Sequence, residues 1–152
     1  MKKSLKKLQT DYIDLMLLHQ PFGDYYGAWR ALEEFYDQGK LKSIGISNFY
    51  PDRMIDLCSF ARISPMINQI ELHPFNQQIE AQKWLNKYNV ATEAWAPFAE
   101  GKGGLFTNPT IAEIGKKYNK SVAQVVLRWE IQRGIIVIPK SVHAERMKQN
   151  FE

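Results

Sequence analysis

The chain has 152 residues, 45% apolar and 24% charged, enough for one domain with a core and unlike the composition of a disordered segment. Its 20 Lys and Arg against 16 Asp and Glu give a formal net charge of +4, but no basic stripe interleaved with aromatics accompanies it, which argues against a nucleic-acid surface. No apolar run approaches the roughly 20 residues of a membrane helix, the basic start from Met1 to Leu8 lacks the apolar stretch of a secretion signal, and the single cysteine, Cys58, allows no intrachain disulfide, so a reducing compartment, most simply the cytoplasm, is expected.

In chain order, Lys2, Lys3, Lys6 and Lys7 read as the solvated face of a helix end. Tyr12 to Leu18 is near-continuously apolar, the pattern of a buried strand. The stretch Gly27 to Tyr36 has helical periodicity, with Trp29, Leu32 and Tyr36 on one face, and Gly39 stands where a helix-ending glycine belongs. A second strand covers Ser43 to Ser47, and Pro51 with Asp52 opens a second amphipathic helix. Cys58 lies in that helix beside Leu57 and reads as a small buried hydrophobe. Met66 to Ile70 is a third strand, Gln77 to Lys87 a helix with Trp84 and Leu85 turned inward, and Val90 to Ala96 a fourth strand stopped by Pro97. After the glycine-rich stretch Glu100 to Gly104 come helices over 109–118 and 121–133, a fifth strand at Ile135 to Ile138, and a last helix from Ala144 to Phe151.

Strict alternation of strands and helices predicts βαβ units and a parallel sheet. No G-x-G-x-x-G follows any strand, so the Rossmann dinucleotide fingerprint is absent. Flavodoxin-like sheets and (β/α)8 barrels remain. A closed barrel typically needs about 250 residues, so spacing alone favours an open five-stranded sheet.

Polar or aromatic groups end strand after strand: His19, Ser47 with Asn48, Gln69 with Glu71 and His73, Trp95, and Lys140 with Ser141. In parallel α/β folds that edge is where ligands bind. Glu71 and His73, two residues apart, have no third ligand near them in sequence, and a metal site is not expected.

The wording of these segments is specific. Asp11-Tyr12-Ile13-Asp14-Leu15-Met16-Leu17-Leu18-His19-Gln20-Pro21 resembles the fourth strand of the aldo-keto reductases, with its D-x-x-D-L-x-L-x-H-x-P pattern. Gly39 to Phe49 resembles the family's fifth strand, Asn68 to Pro74 its sixth, Glu93 to Phe98 its seventh, and Ile138 to Val142 with Glu145, Arg146, Gln149, Asn150 and Phe151 its eighth strand and following helix. They occur in family order along essentially the whole chain. The resemblance implies a partial (β/α)8 TIM barrel of about five parallel strands, residues 1–152 forming a single domain that begins inside the third helix and ends within the eighth.

The resemblance also implies roles. His19 would hydrogen-bond the substrate carbonyl; the alternative is an ordinary histidine at a strand end. Ser47, Asn48 and Gln69 would hold the nicotinamide carboxamide, which needs donors and acceptors together; Ser47 and Asn48 are also placed to cap the Pro51 helix. Trp95 would stack on the nicotinamide ring, the alternative being a core tryptophan. Lys140, Ser141 and Arg146 would grip the adenosine 2′-phosphate, and Gln149 and Asn150 would face the adenine, which points to NADPH. The substrate would be a small aldehyde, ketone or sugar-like carbonyl. The family's catalytic Asp, Tyr and Lys come from its first three βα units, and none of the seven tyrosines here lies in a matching motif. Tyr25 and Tyr26 follow the His19 strand without matching the family acid. The expectation is a carbonyl-reducing, NADPH-dependent fold that needs a second copy or a separately encoded first half. The alternative is a non-catalytic half-barrel that binds NADPH weakly or serves in association.

Overall fold

A computed structural model describes residues 2–152; Met1, which opens the basic N-terminal run, lies outside them. The elements run α1 (Lys2–Leu8), β1 (Ile13–Leu18), α2 (Tyr25–Asp37), β2 (Leu41–Ser47), α3 (Pro51–Phe60), β3 (Ile67–Glu71), α4 (Ile79–Lys87), β4 (Ala91–Trp95), α5 (Pro109–Tyr118), α6 (Val122–Gln132), β5 (Ile135–Val137) and α7 (Ala144–Phe151). Parallel strands follow one another across the sheet in chain order, β1-β2-β3-β4-β5. No helix among the described residues is long and apolar enough to cross a membrane.

Local sequence sets the helix ends. Asp24 caps α2 by accepting from the Gly27 N–H at 2.7 Å. Gly39, at φ +68°, ends it, and the Lys40 N–H returns to Phe35 O. Asn108 accepts from the Ile111 N–H ahead of Pro109, and Ser121 with Gln124 forms a reciprocal capping box at the start of α6.

The chain forms two compact units, Met1–Gln69 with Glu80–Ala91, and Ile70–Ile79 with Thr92–Glu152. In the first, β1 pairs with β2 from Ile13↔Leu41 to Leu18↔Ile46, and β2 continues onto β3 at Ile46↔Asn68 and Ser47↔Gln69. Its core is Trp29, Leu41, Ile44, Ile46, Met54, Leu57, Ile67, Leu85 and Val90, all buried. Two polar side chains of α2 are buried with them. The Trp29 indole N–H donates to Ile63 O at 3.0 Å, while a Glu33 carboxylate oxygen accepts from the Ile63 N–H at 2.7 Å. One half-buried residue of the α3–β3 connection is thereby bonded through both its backbone groups. At Gly45 the sheet is tight. A Cβ there would lie 2.3 Å from Ile67 Cγ2 and 2.8 Å from both Ile67 O and Leu17 Cδ2.

In the second unit, Leu72, Ala94 and Ile135 form one core cluster, with Trp129 and Val137 packed against it. Ala99, Leu105 and Val126 form another, with Phe98, Ile111 and Val122. Here β4 pairs with β5 from Thr92↔Ile135 to Ala94↔Val137.

Several boundaries differ from the sequence reading. α4 begins at Ile79, not at Gln77, because Gln78 turns to φ +50° and its amide donates to Glu71 O. The glycine-rich stretch holds two 3-10 turns, Ala99–Gly101 and Leu105–Thr107. β5 stops at Val137. Cys58 is half-buried, not fully buried; its thiol lies 3.6 Å from Met54 Sδ, and burial raises its pKa. Lys2 to Leu8 form a helix with no buried residue, as read.

Gly45→Ala is expected to lower stability by about 1–3 kcal/mol, because the methyl has no room between β1 and β3. Urea unfolding checks this; an unchanged midpoint would mean that the strands can part without loss.

Candidate functional site

Parallel pairing carries β1, β2 and β3 of the first unit to a common C-terminal edge. Leu18 pairs with Ile46, and Ser47 pairs with Gln69. His19 is therefore the first residue past β1, level with Ser47. Its side chain is exposed, and no group among the described residues hydrogen-bonds its ring. The three residues expected to bind an amide do come together. Ser47 Oγ donates to Gln69 O at 3.1 Å, the Asn48 N–H donates to the same oxygen at 2.9 Å, and Asn48 Nδ2 donates to Ser47 Oγ at 3.0 Å. Asn48 holds φ +59°, a left-handed conformation that asparagine tolerates better than most residues. Neither Ser47 nor Asn48 caps α3: the N-cap is Tyr50, with no side-chain capping bond.

The two tyrosines after β1 are engaged in packing. Tyr25 stacks on Tyr26 at 4.6 Å between centroids and meets Phe49 edge-on at 5.5 Å. The Arg53 guanidinium lies 5.9 Å from the Tyr25 ring, and the Tyr26 hydroxyl donates to Asp56. That bond ties Tyr26 to α3.

In the second unit, Lys140, Ser141, Arg146, Gln149 and Asn150 line one cavity of about 500 Å³. The rest of its wall is Phe98, Phe106 and the α6 start from Ser121 to Ala123. The two phenylalanine rings lie 5.6 Å apart and supply an apolar side. Lys140 and Arg146 are exposed, and neither is paired with a carboxylate among the described residues. Ser141 Oγ accepts from the His143 N–H at 3.1 Å, so α7 starts close behind it. Gln149 is fixed twice, its carbonyl accepting from Gln124 Nε2 and its own amide donating to Glu145. A more open cleft of about 720 Å³ shares Ser121, Val122 and Gln149 but mixes Lys116 and Lys120 with Glu145 and Glu152. Its charges offset one another, which leaves the smaller cavity as the better receptor for an anion.

Trp95 ends β4, half-buried, and does not line that cavity; its carbonyl accepts from the Leu72 N–H. Glu71 and His73 form a local pair. His73 Nδ1 accepts from the Phe75 N–H, which leaves Nε2 as the protonated nitrogen, 3.4 Å from Glu71 Oε1. Sequence reasoning missed Phe98, Phe106 and the α6 start as cavity walls. Only the Ser121–Gln124 capping box carried any signal, because the other contacts join segments far apart in the chain.

The sequence model of the Aldo/keto reductase family matches residues 1–152. The chain belongs to the aldo/keto reductase family. It is 44% identical to the methylglyoxal reductase DkgA of Yersinia pestis over 155 residues, covering 100% of this chain and 56% of that protein. It is 44% identical to the glyoxal reductase of Bacillus subtilis over 152 residues, covering 99% and 54%. Among solved structures, the Bombyx mori aldo-keto reductase in complex with NADP superposes with a TM-score of 0.94 at 37% identity, covering 99% of this chain and 55% of that one. The chain spans about half the length of the curated relatives it matches. Its parallel strands and alternating helices are accordingly part of a (β/α)8 barrel, and not the open sheet that strand spacing alone favours.

Asn48→Ala and Asn48→Gly separate the two things Asn48 does in this aldo/keto reductase turn. Both lose the bond to Ser47, but only alanine is strained at φ +59°. The alanine variant is expected to be less stable than the glycine variant by about 1 kcal/mol. Equal denaturation midpoints would mean that the dihedral contributes nothing.

Proposed function

We propose that this chain supplies the cofactor-holding part of an NADPH-dependent carbonyl reductase. The cavity lined by Lys140, Ser141, Arg146, Gln149 and Asn150 is the observation that carries this reading. Two cations without carboxylate partners, a hydroxyl and an aromatic wall suit a phosphorylated adenosine, and a guanidinium holds phosphate through paired hydrogen bonds. Asn48 and Gln69, half-buried and positioned beside the buried Ser47 hydroxyl, supply the donors and acceptors that a carboxamide needs, and Trp95 an aromatic face for the ring. The NADP bound to the Bombyx mori relative supports the same cofactor class. When bound, NADPH supplies the hydride.

His19 is the residue assigned to the substrate. Its exposed ring, unbonded at the strand edge, is free to donate to a carbonyl oxygen and orient it. A neutral imidazole does this without a fixed charge. The names of the Yersinia pestis and Bacillus subtilis relatives favour small dicarbonyls such as methylglyoxal and glyoxal as substrates. No tyrosine here matches the family's proton donor, and Tyr26 is held by Asp56. Turnover therefore needs a proton donor from outside residues 1–152. The unbroken family match over residues 1–152 supports reading the chain as one contiguous portion of a barrel domain. The single, half-buried cysteine is consistent with a reducing, cytoplasmic setting.

Titration with NADPH and NADH, followed by tryptophan fluorescence, tests the cofactor assignment. Arg146→Ala should weaken NADPH binding by about 10- to 100-fold and leave NADH nearly unchanged, since charged hydrogen bonds contribute roughly 1.5–3 kcal/mol. Equal loss for both cofactors would remove Arg146 from the phosphate. His19→Ala should spare NADPH affinity while abolishing methylglyoxal reduction by the chain complemented with the first half of a related reductase. If the complemented wild-type chain binds NADPH and reduces no carbonyl, the half-barrel is a binding fragment and not an enzyme.

A further inference from the structure

Glu130 lies in the third turn of α6, on the same face as Val126 and Leu127, and is fully buried. Neither of its carboxyl oxygens has a hydrogen-bond partner among the described residues. A carboxylate in that position would be a desolvated, unpaired charge, whereas the protonated acid is only a buried polar group.

Arg133, which caps the C-terminal end of α6, relieves it only in part: its Nη2 donates to Gln77 O at 2.8 Å and its guanidinium sits 4.5 Å from the Trp129 ring. α6 packs on α5, β5, α7 and the Leu105–Thr107 turn. Glu113, Lys116, Lys117 and Tyr118 are the titratable groups of α5; Glu145, Arg146 and Lys148 are those of α7; Arg128 shares α6; and β5 and the turn carry none. Of all these groups, only Arg133 acts on the Glu130 carboxyl. Burial pushes that carboxyl from the ordinary 4.5 up to about 8, against the downward pull of Arg133. Burial lowers Arg133 in turn.

We propose that Glu130 is a proton-binding device in α6, carried as the neutral acid in the folded chain, whose deprotonation loosens the packing of α6 on β5 and α7. The sign follows from the folded group holding its proton more tightly than the unfolded one. The stabilisation is complete below about pH 4.5, declines as pH rises, and is gone above about pH 8. The same helix begins at the cavity wall, Ser121 to Ala123. Loosening it also weakens cofactor binding, an effect that rests on the function proposed above; the stability effect does not.

The test is urea unfolding of the wild-type chain and Glu130→Gln from pH 5 to pH 9. Glutamine keeps the shape and cannot ionise. The wild-type unfolding constant should rise relative to the variant by close to tenfold per pH unit between about pH 5 and pH 8, then level off. Parallel profiles would overturn the proposal. An infrared titration of the wild-type chain serves if the variant does not fold. A carboxylic-acid C=O band persisting above pH 6.5 is expected; full ionisation of every carboxyl by pH 6 would overturn it. Absence of NADPH binding in either protein would sink the cofactor reading and leave the stability result standing.

Discussion

The carbonyl oxygen of Gln69 accepts two hydrogen bonds, from Ser47 Oγ and from the Asn48 N–H. The polar contacts that close the ends of β2 and β3 converge on that one oxygen. It fixes where β2 stops pairing with β3, turns the chain into a left-handed residue at Asn48, and aims the Asn48 amide at Ser47. A tight contact stands two residues earlier, where Gly45 admits Ile67 and Leu17 with no space for a methyl. An apolar constraint thus sets the strand spacing, and a polar one sets the strand end.

The second unit solves a different problem. Lys140 and Arg146 have no carboxylate near enough to pair with, although Glu145 stands next to Arg146 in sequence. The Glu145 side chain is taken by the Gln149 amide at 3.2 Å. Two like charges at one cavity repel, modestly so in water. An anion entering the cavity would relieve both. Apolar walls from Phe98 and Phe106 lower the local dielectric and strengthen that attraction. The α6 start helps little as an anion trap, since Ser121 and Gln124 already occupy part of its donor set. The positive charge at this cavity belongs to the two side chains.

Much of this was legible in the sequence, and for physical reasons. Strands of parallel sheets are rich in apolar residues, so Tyr12–Leu18 and Ser43–Ser47 stand out as short runs with polar residues at their ends, although β1 is only half-buried. Gly39 announced the end of α2 because a left-handed turn favours glycine there. Spacing counts only the strands present and so favours an open sheet; only the ordered motifs, Asp11 through Phe151, point to a barrel. Gln77 and Gln78 read as helix because nothing local distinguishes a helix interior from a turn in which Gln78 bonds Glu71 O. Ser47 and Asn48 looked like caps for the same reason: capping residues and strand-end residues draw on the same short polar side chains. The cavity walls at Phe98 and Phe106 were invisible because they arise from packing between distant segments.

Two of the three buried glutamates among the described residues show how far chemistry departs from composition. Glu33 and Glu130 both sit on helices and both face inward, where charged side chains are rarely found unpaired. Glu33 meets a backbone N–H whose own carbonyl is already bonded by Trp29, so its carboxylate completes a satisfied loop contact. Removing it would leave the half-buried Ile63 N–H without that acceptor. Glu130 meets no donor at all, so removing its charge costs nothing and keeping it costs a great deal. The same residue type is therefore a structural anchor in one unit and a proton acceptor in the other. The deciding difference is the presence of a single N–H, which neither helical periodicity nor the identity of the residue encodes.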